Sequence, residues 1–268
     1  MSLKRYIWLT DTHFNFLDQA ALLGFFLSLE EKKADGIFLT GDVSTGPHLV
    51  KHLNLLEKVV KTPVYFVLGN HDYYRATFSE IENSMVELMQ SNSRLHYLSV
   101  SDPISLSDDV AVIGHDGWYD AGWRAPVTPA IFVWDWYFIK DFRALFGTEE
   151  RMNLVRARAT KAMEFIIENL EKAFKKHSTA YMLTHFPPWP EESDRFYGLL
   201  EKFWMPYNSS KMMADALVKI MEKYSDKKLV ILAGHTHIKR KIQISSNIEM
   251  RVGDAEFGKP QIQKIILI

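Results

Sequence analysis

Five short apolar runs in this 268-residue chain each end on a residue able to bind a metal. Residues 6–10 lead into Asp11 and His13, residues 37–41 into Asp42, and residues 64–69 into Asn70. Residues 180–184 lead into His185, and residues 229–234 into His235 and His237. The first three runs alternate with helical patterns at 17–33 and 48–61; in the former, Leu22, Leu23, Phe26, Leu27 and Leu29 form a broad apolar face. This strand–helix–strand order predicts parallel strands joined by right-handed crossovers. Ligands bind beyond the carboxyl ends of such strands, so five polar strand ends point to one shared site.

The remaining pattern extends the same architecture. Residues 79–90 read as a helix, and 95–98, 104–106 and 110–113 as short strands, with Ser107, Asp108 and Asp109 forming a hairpin turn. Residues 148–176 are the longest helical stretch, with Thr148 as the expected N-cap before Glu149 and Glu150. A strand at 180–184, a helix at 209–224 and a strand at 229–233 follow, then closing strands at 238–245, 248–252 and 261–268. No repeat or linker interrupts the chain. A single domain over 1–268 is expected, with aromatic-rich insertions near 117–147 and 186–207.

Composition removes several function classes. A formal net charge of −1 and no Lys/Arg-rich block give no nucleic-acid footprint. No run of about 18 apolar residues suggests a membrane span, and the N-terminus lacks a signal-peptide core, so a cytoplasmic location is expected. Cysteine is absent, which confines any metal to imidazole, carboxylate, amide or water ligands.

Each motif alone has a plain structural reading. Asp11 can start a turn or cap a helix; an extended Asp11-Thr12-His13 would instead send both ligand side chains to one face. Gly41-Asp42 and Gly69-Asn70 are turn chemistry, although the two oxygens of Asp42 can bridge two cations. A lone His185 is most simply structural, and His235 and His237 can be solvated turn residues. His71, beside Asn70, can face a substrate rather than a metal. The set as a whole, always at strand ends, favours one site over five coincidences.

The ordered motifs Asp-x-His, Gly-Asp, Gly-Asn-His-Asp, His and Gly-His-x-His, from Asp11 to His237, resemble those of the calcineurin-like metallophosphoesterases. The resemblance implies an α/β fold, a four-layer α/β/β/α sandwich of two mixed sheets with the final strands in the second sheet. It implies two divalent or trivalent ions (Mn, Fe, Zn or Co): one on Asp11, His13 and His237, the other on Asn70, His185 and His235, with Asp42 bridging. The implied enzyme is a metal-dependent phosphoric ester hydrolase, a phosphodiesterase or phosphomonoesterase. It would act on a small-molecule phosphoester or nucleotide through a metal-bridging hydroxide, with His71 as general acid.

One departure narrows this expectation. The protein phosphatases of the superfamily carry Gly-Asp-x-x-Asp-Arg-Gly, whereas here Thr45 and Gly46 replace the second Asp and the Arg. A catalytically weak metal-binding interaction scaffold of the same fold and a nuclease are the alternatives. The surviving ligands oppose the first, and the neutral charge opposes the second. His115, Trp118, Tyr119 and Arg124 are candidate substrate contacts at the rim, where aromatic rings can stack on a flat group. The competing reading is that these rings only pack. Asp72 is an adjacent carboxylate with a possible role near His71.

Overall fold

In the computed structural model, which describes residues 3–123, 132–190 and 206–268, the apolar runs form strands covered on both faces. Along β1 (Arg5–Leu9), Tyr6 and Trp8 face one core while Ile7 and Leu9 face another, as a period of two requires. The division recurs in β2 (Gly36–Thr40), where Phe38 opposes Ile37 and Leu39. In β3 (Val64–Val67), Tyr65 and Val67 oppose Val64 and Phe66. A parallel strand buried on both faces has no polar side, hence the continuous apolar runs.

These strands and β4 (Leu95–Tyr97) run parallel in the order β1-β2-β3-β4, with Tyr6 opposite Gly36 and Ile37 opposite Val64. The crossovers are α1 (Gln19–Glu30), α2 (Gly46–Val59) and α3 (Phe78–Ser91). Their Leu22, Phe26, Leu49, Leu53, Ile81 and Met85 cover the outer face. A hairpin of β5 (Ile104–Ser105) and β6 (Val110–Gly114) opens the second sheet, as the turn residues predict. Two short helices, α4 (Trp134–Phe138) and α5 (Lys140–Arg143), then precede the long α6 (Thr148–Phe174).

The second sheet continues with β7 (Thr179–Leu183), α7 (Lys211–Lys223), β8 (Lys228–Ala233), β9 (Arg240–Gln243) and β10 (Ile248–Val252). Its order is β5-β6-β7-β8-β10-β9, parallel except at the two edges. Ile166 and Leu170 of α6 and Leu217 and Ile220 of α7 cover its outer face. Between the sheets lie Tyr6, Trp8 and Phe38 from one side and Val112, Leu183, Val230 and Leu232 from the other. The result is two mixed sheets face to face between two layers of helices.

Two expectations are corrected. The last strand, β11 (Lys264–Leu267), joins the first sheet, antiparallel to β1, with Arg5 opposite Leu267. It covers an edge that β1 would otherwise expose, and Lys4 and Ile268 extend the pairing by exchanging backbone hydrogen bonds. An unpaired edge is a liability, and this strand leaves a shorter edge, of four residues, in place of β1. At α6, Thr148 is the first helical residue and Gly147 the N-cap. The Glu150 carboxylate accepts from the Gly147 and Phe146 N–H groups at 3.3 Å each, so the acidic first turn does the capping.

Among the described residues, no helix is long and apolar enough to cross a membrane. On the exposed face of α1, a methyl group added at Gly24 would meet nothing within 4 Å. Gly24→Ala should therefore raise unfolding stability by about 0.5–1 kcal/mol, measured by urea denaturation. A loss of stability would contradict the assigned helix face.

Candidate metal centre

Parallel order brings the carboxyl ends of β1, β2, β3, β7 and β8 to one rim, where the backbone turns hard. Among the described residues, eight non-glycine positions have positive φ, and five are Asp11, His13, Asp42, His235 and His237. Such conformations cost of order 1–3 kcal/mol each and cluster at functional sites. The chain does not stay extended from Asp11 to His13: φ is 46° at the first and 42° at the second. The bends are pinned by Asp11 N–H donating to Gly41 O (3.0 Å), His13 N–H to Asp42 O (2.9 Å) and Gly234 N–H to His185 O (3.0 Å). His235 N–H donates to Asp11 Oδ1 at 3.0 Å, tying the second sheet to the first.

Two glycines allow this crowding. A Cβ at Gly69 would lie 2.1 Å from Asp42 Oδ1, and one at Gly234 would lie 2.3 Å from Asp11 Oδ2. Neither is a possible contact, so each glycine lets a neighbouring carboxylate occupy the space a side chain would need.

The polar strand ends converge in two groups. In one, ligand atoms of Asp11, His13, Asp42 and His237 all lie within 4.8 Å of one another. His237 Nε2 is 3.3 Å from Asp11 Oδ1, and 3.4 Å separates His13 Nε2 from His237 Nε2. In the other, Asn70 Oδ1 is 3.1 Å from His185 Nε2 and 3.2 Å from His235 Nδ1. Asp42 stands between them, with Oδ1 3.4 Å from His185 Nε2 and Oδ2 3.8 Å from His13 Nε2.

The donor chemistry of the second group fits a cation. His185 Nδ1 is 3.0 Å from the carbonyl of Thr40, which can only accept, so the proton sits there and Nε2 presents a lone pair. Asn70 Nδ2 donates to Asp135 Oδ1 (2.8 Å) and the Tyr74 hydroxyl (3.2 Å), so Oδ1 is the atom aimed inward. Two acceptors therefore face each other at hydrogen-bond distance, an arrangement that a positive ion resolves.

The electrostatics agree. Burial pushes His13 down to about 4 and His235 to about 3, and lowers His185 and His71 as well. Neutral imidazole is the form that ligates metal. Burial, reinforced by the carboxylates of Asp11 and Asp72, pushes Asp42 well above the usual range. Burial acts the same way on Asp11, but its hydrogen bond to His237 and the surrounding imidazoles overcome it and hold that carboxyl low. In His237, burial works downward while Asp11 wins and raises it.

His71 sits at the mouth, its side chain 25% exposed and its Nε2 3.8 Å from Asp42 Oδ2. Its ring stacks on Tyr74 at 4.3 Å, and its N–H donates to Asp42 Oδ1 at 2.9 Å. Asp72 is not a partner of that imidazole. Its carboxylate accepts from the N–H groups of Val43, Ser44 and Gly69, clamping the loop after β2 to the loop after β3.

Of the expected substrate contacts, His115 lines a cavity with Arg158 and Lys161, apart from the clustered ligands, while two aromatic rings are buried. Trp118 and Tyr119 are buried in an aromatic core with Phe142 and Phe186, and the Tyr119 hydroxyl accepts from Trp136 Nε1. His115 is buried against Phe165, its Nδ1 accepting from Gly117 N–H. Neighbouring Asp116 is taken up by Leu68 N–H, the Tyr73 and Tyr97 hydroxyls and Ser99. Arg124 lies outside the described residues.

Sequence reasoning missed Asp135, which holds Asn70, and Phe257, whose ring lies 4.5 Å from that of His13 and 5.3 Å from that of His237. A carboxylate inside the aromatic run 134–138 was a signal for Asp135. Nothing in the sequence around Phe257 marks it.

A sequence profile of calcineurin-like phosphoesterases matches residues 4–239. No curated protein matches the chain by sequence. Among solved structures, a phosphopantetheinyl hydrolase from Mycobacterium tuberculosis superposes with a TM-score of 0.64 at 14% identity, covering 99% of this chain and 96% of the other. A dimetal phosphatase from Danio rerio gives 0.57 at 12% identity, covering 94% and 87%. These identities establish a shared fold.

The glycine geometry predicts that Gly69→Ala displaces the Asp42 carboxylate. Urea melts should show a loss of about 1–3 kcal/mol from overpacking, and metal analysis should show fewer bound ions per chain. Wild-type stability with wild-type metal content would contradict the close approach.

Proposed function

Because the chain belongs to the calcineurin-like phosphoesterase family, we propose that it hydrolyses a small-molecule or nucleotide phosphoester at a dinuclear centre. Asp11, His13 and His237 would hold one ion and Asn70, His185 and His235 the other, with Asp42 placed to serve both. The observation that carries this reading is the pair of opposed acceptors, His185 Nε2 and Asn70 Oδ1, 3.1 Å apart. When bound, two ions supply an activated water and neutralise charge on phosphoryl oxygens.

The chain's own residues do the rest. Asp42 is fixed by the His71 N–H, so its two oxygens stay divided between the half-sites. His71 is held by its stacking on Tyr74 with one edge open to solvent. Burial keeps the free imidazole neutral, so it takes up a proton as the anionic substrate settles beside it, and its Nε2 then gives that proton to the leaving-group oxygen. Thr45 is the N-cap of α2, and a Cβ at Gly46 would lie 2.8 Å from the Tyr74 carbonyl. That position has no room for an arginine, which supports a substrate other than a phosphoprotein.

Aromatic rings flank the mouth. Phe257 and Phe16, 49% and 57% exposed, stand on the His13 side with ring centres 5.1 Å apart. On the His71 side, Tyr74 meets Phe138, and Phe138 stacks on exposed Trp134 at 5.5 Å. Such walls suit a leaving group with a flat ring, which favours a nucleotide. Nothing is missing from the donor set, so no observation favours a catalytically weak scaffold.

The test is hydrolysis of bis-p-nitrophenyl phosphate, p-nitrophenyl phosphate and a panel of nucleotides and phosphopantetheinyl esters, after chelation and after Mn²⁺ is returned. Activity on at least one class that depends on added metal is expected. Inactivity of the metal-loaded protein across the panel would overturn the reading. His71→Ala should retain both ions while kcat falls about 10²–10⁴-fold on a poor leaving group; unchanged kcat would remove the acid role. Stacking is worth roughly 1–3 kcal/mol per base, so Phe257→Ala should raise KM for a nucleotide about 5-fold or more. An unchanged KM would exclude that wall from the substrate site.

A further inference from the structure

The Asn70 side chain is symmetrical in shape but not in chemistry: turned by half a revolution, it would present NH₂ where it now presents oxygen. Its sense is fixed by a carboxylate beside it. Asp135, in the short helix α4, is buried at 5% exposure, and its Oδ1 accepts from Asn70 Nδ2 at 2.8 Å. The same oxygen accepts from the Tyr74 hydroxyl at 2.9 Å, and that hydroxyl lies 3.2 Å from Asn70 Nδ2. Both N–H bonds of the amide are thus engaged. A turned amide would set its oxygen against the Asp135 carboxylate, so the carboxylate rejects that orientation.

In the ion-free chain the turned amide would otherwise be favoured. Its NH₂ would donate to His185 Nε2, whose lone pair is exposed because Nδ1 serves the Thr40 carbonyl. Without Asp135, then, Asn70 has a self-satisfied conformation with no ligand atom directed at the centre.

Resting on the reading that Asn70 is a metal ligand, we propose that Asp135 is a positioning residue. It locks the Asn70 amide with its oxygen toward His185 and His235, and so sets the affinity of that half of the centre for its ion. Asp135 touches neither substrate nor reacting atoms; it acts through Asn70. The aromatic insertion thereby has a task beyond packing. Its Trp136 is anchored in the core, with Nε1 donating to the Tyr119 hydroxyl, while Trp134 next to it is exposed. The carboxylate between them is carried to a strand end 65 residues away in sequence.

The experiment is a Mn²⁺ titration of the chelated full-length chain, followed by electron paramagnetic resonance and metal analysis. Wild type, Asn70→Ala, Asp135→Leu and Asp135→Asn are compared. Removing such an outer partner typically weakens a metal site about 10–100-fold. Asp135→Leu should lose that much at one of two ions and keep the other within about 3-fold, since Asp11, His13 and His237 make no contact with it. Asp135→Asn retains an oxygen able to accept both bonds and should rescue the weak site to within about 3-fold of wild type.

Wild-type affinity at both sites in Asp135→Leu would overturn the proposal. So would equal weakening of both sites, which would indicate a general structural role, or an asparagine variant as weak as the leucine one. Melting of the ion-free variants reports folding; if the leucine variant does not fold, Asp135→Ala is read in the same titration with the same outcomes. Failure of the underlying reading looks different: Asn70→Ala would then bind as many ions as wild type, as tightly.

Discussion

A carboxylate sealed from water between two sheets governs this architecture. Asp42 is 2% exposed, and the carboxylates of Asp11 and Asp72 add to the burial that opposes its ionisation. An uncompensated buried charge is too costly to keep. Asp72 is compensated locally by three backbone N–H groups. Asp42 receives one, from His71, and otherwise faces imidazole nitrogens that burial keeps neutral. Cations are the natural complement of such a cluster. The left-handed bends, the glycines without room for a methyl group and the backbone links between loops all serve to bring these groups together. The convergence of these polar groups and the packing of the two sheets are therefore one problem with one solution.

Much of this was legible before any coordinates, for a physical reason. Strands buried on both faces must be apolar throughout, so their ends stand out wherever polarity returns, and parallel order forces those ends to one rim. That logic located Asp11, His13, Asp42, Asn70, His71, His185, His235 and His237, which the structure gathers in one place. The expectation that the final strands belong to the second sheet fails for the last one, which joins the first. The pattern at 264–267 suits either sheet, and only the open edge of β1 decides. The sequence reading also put Trp118 and Tyr119 at a rim, whereas the structure buries both rings in the core. A polar residue after an apolar run reads the same whether it faces a cleft or a buried partner, and here Asp116 meets four donors in the interior. Phe257 was invisible because a lone aromatic in a loop carries no periodicity.

The segment after β6 carries contacts outward from the strand ends. Its rings supply buried area for a core shared with the first sheet and with the N-terminal half of α6. Its buried Asp135 reaches the amide of Asn70, and its exposed rings line one side of the mouth. Chemistry held on rigid strands and recognition carried by connecting segments is a common division of labour. Here a contact crosses that division, because a residue of the connecting segment holds a residue of the strand end.

Two cations that share Asp42 at the common rim of the strands would complete this cluster. Crystals of the Mn²⁺-loaded chain, measured at a wavelength where manganese scatters anomalously, test it directly. Two peaks roughly 3.5–4 Å apart are expected. One should be bounded by Asp11, His13 and His237, the other by Asn70, His185 and His235, with an Asp42 oxygen reaching each. A single peak, or two peaks with Asp42 bound to only one, would contradict it.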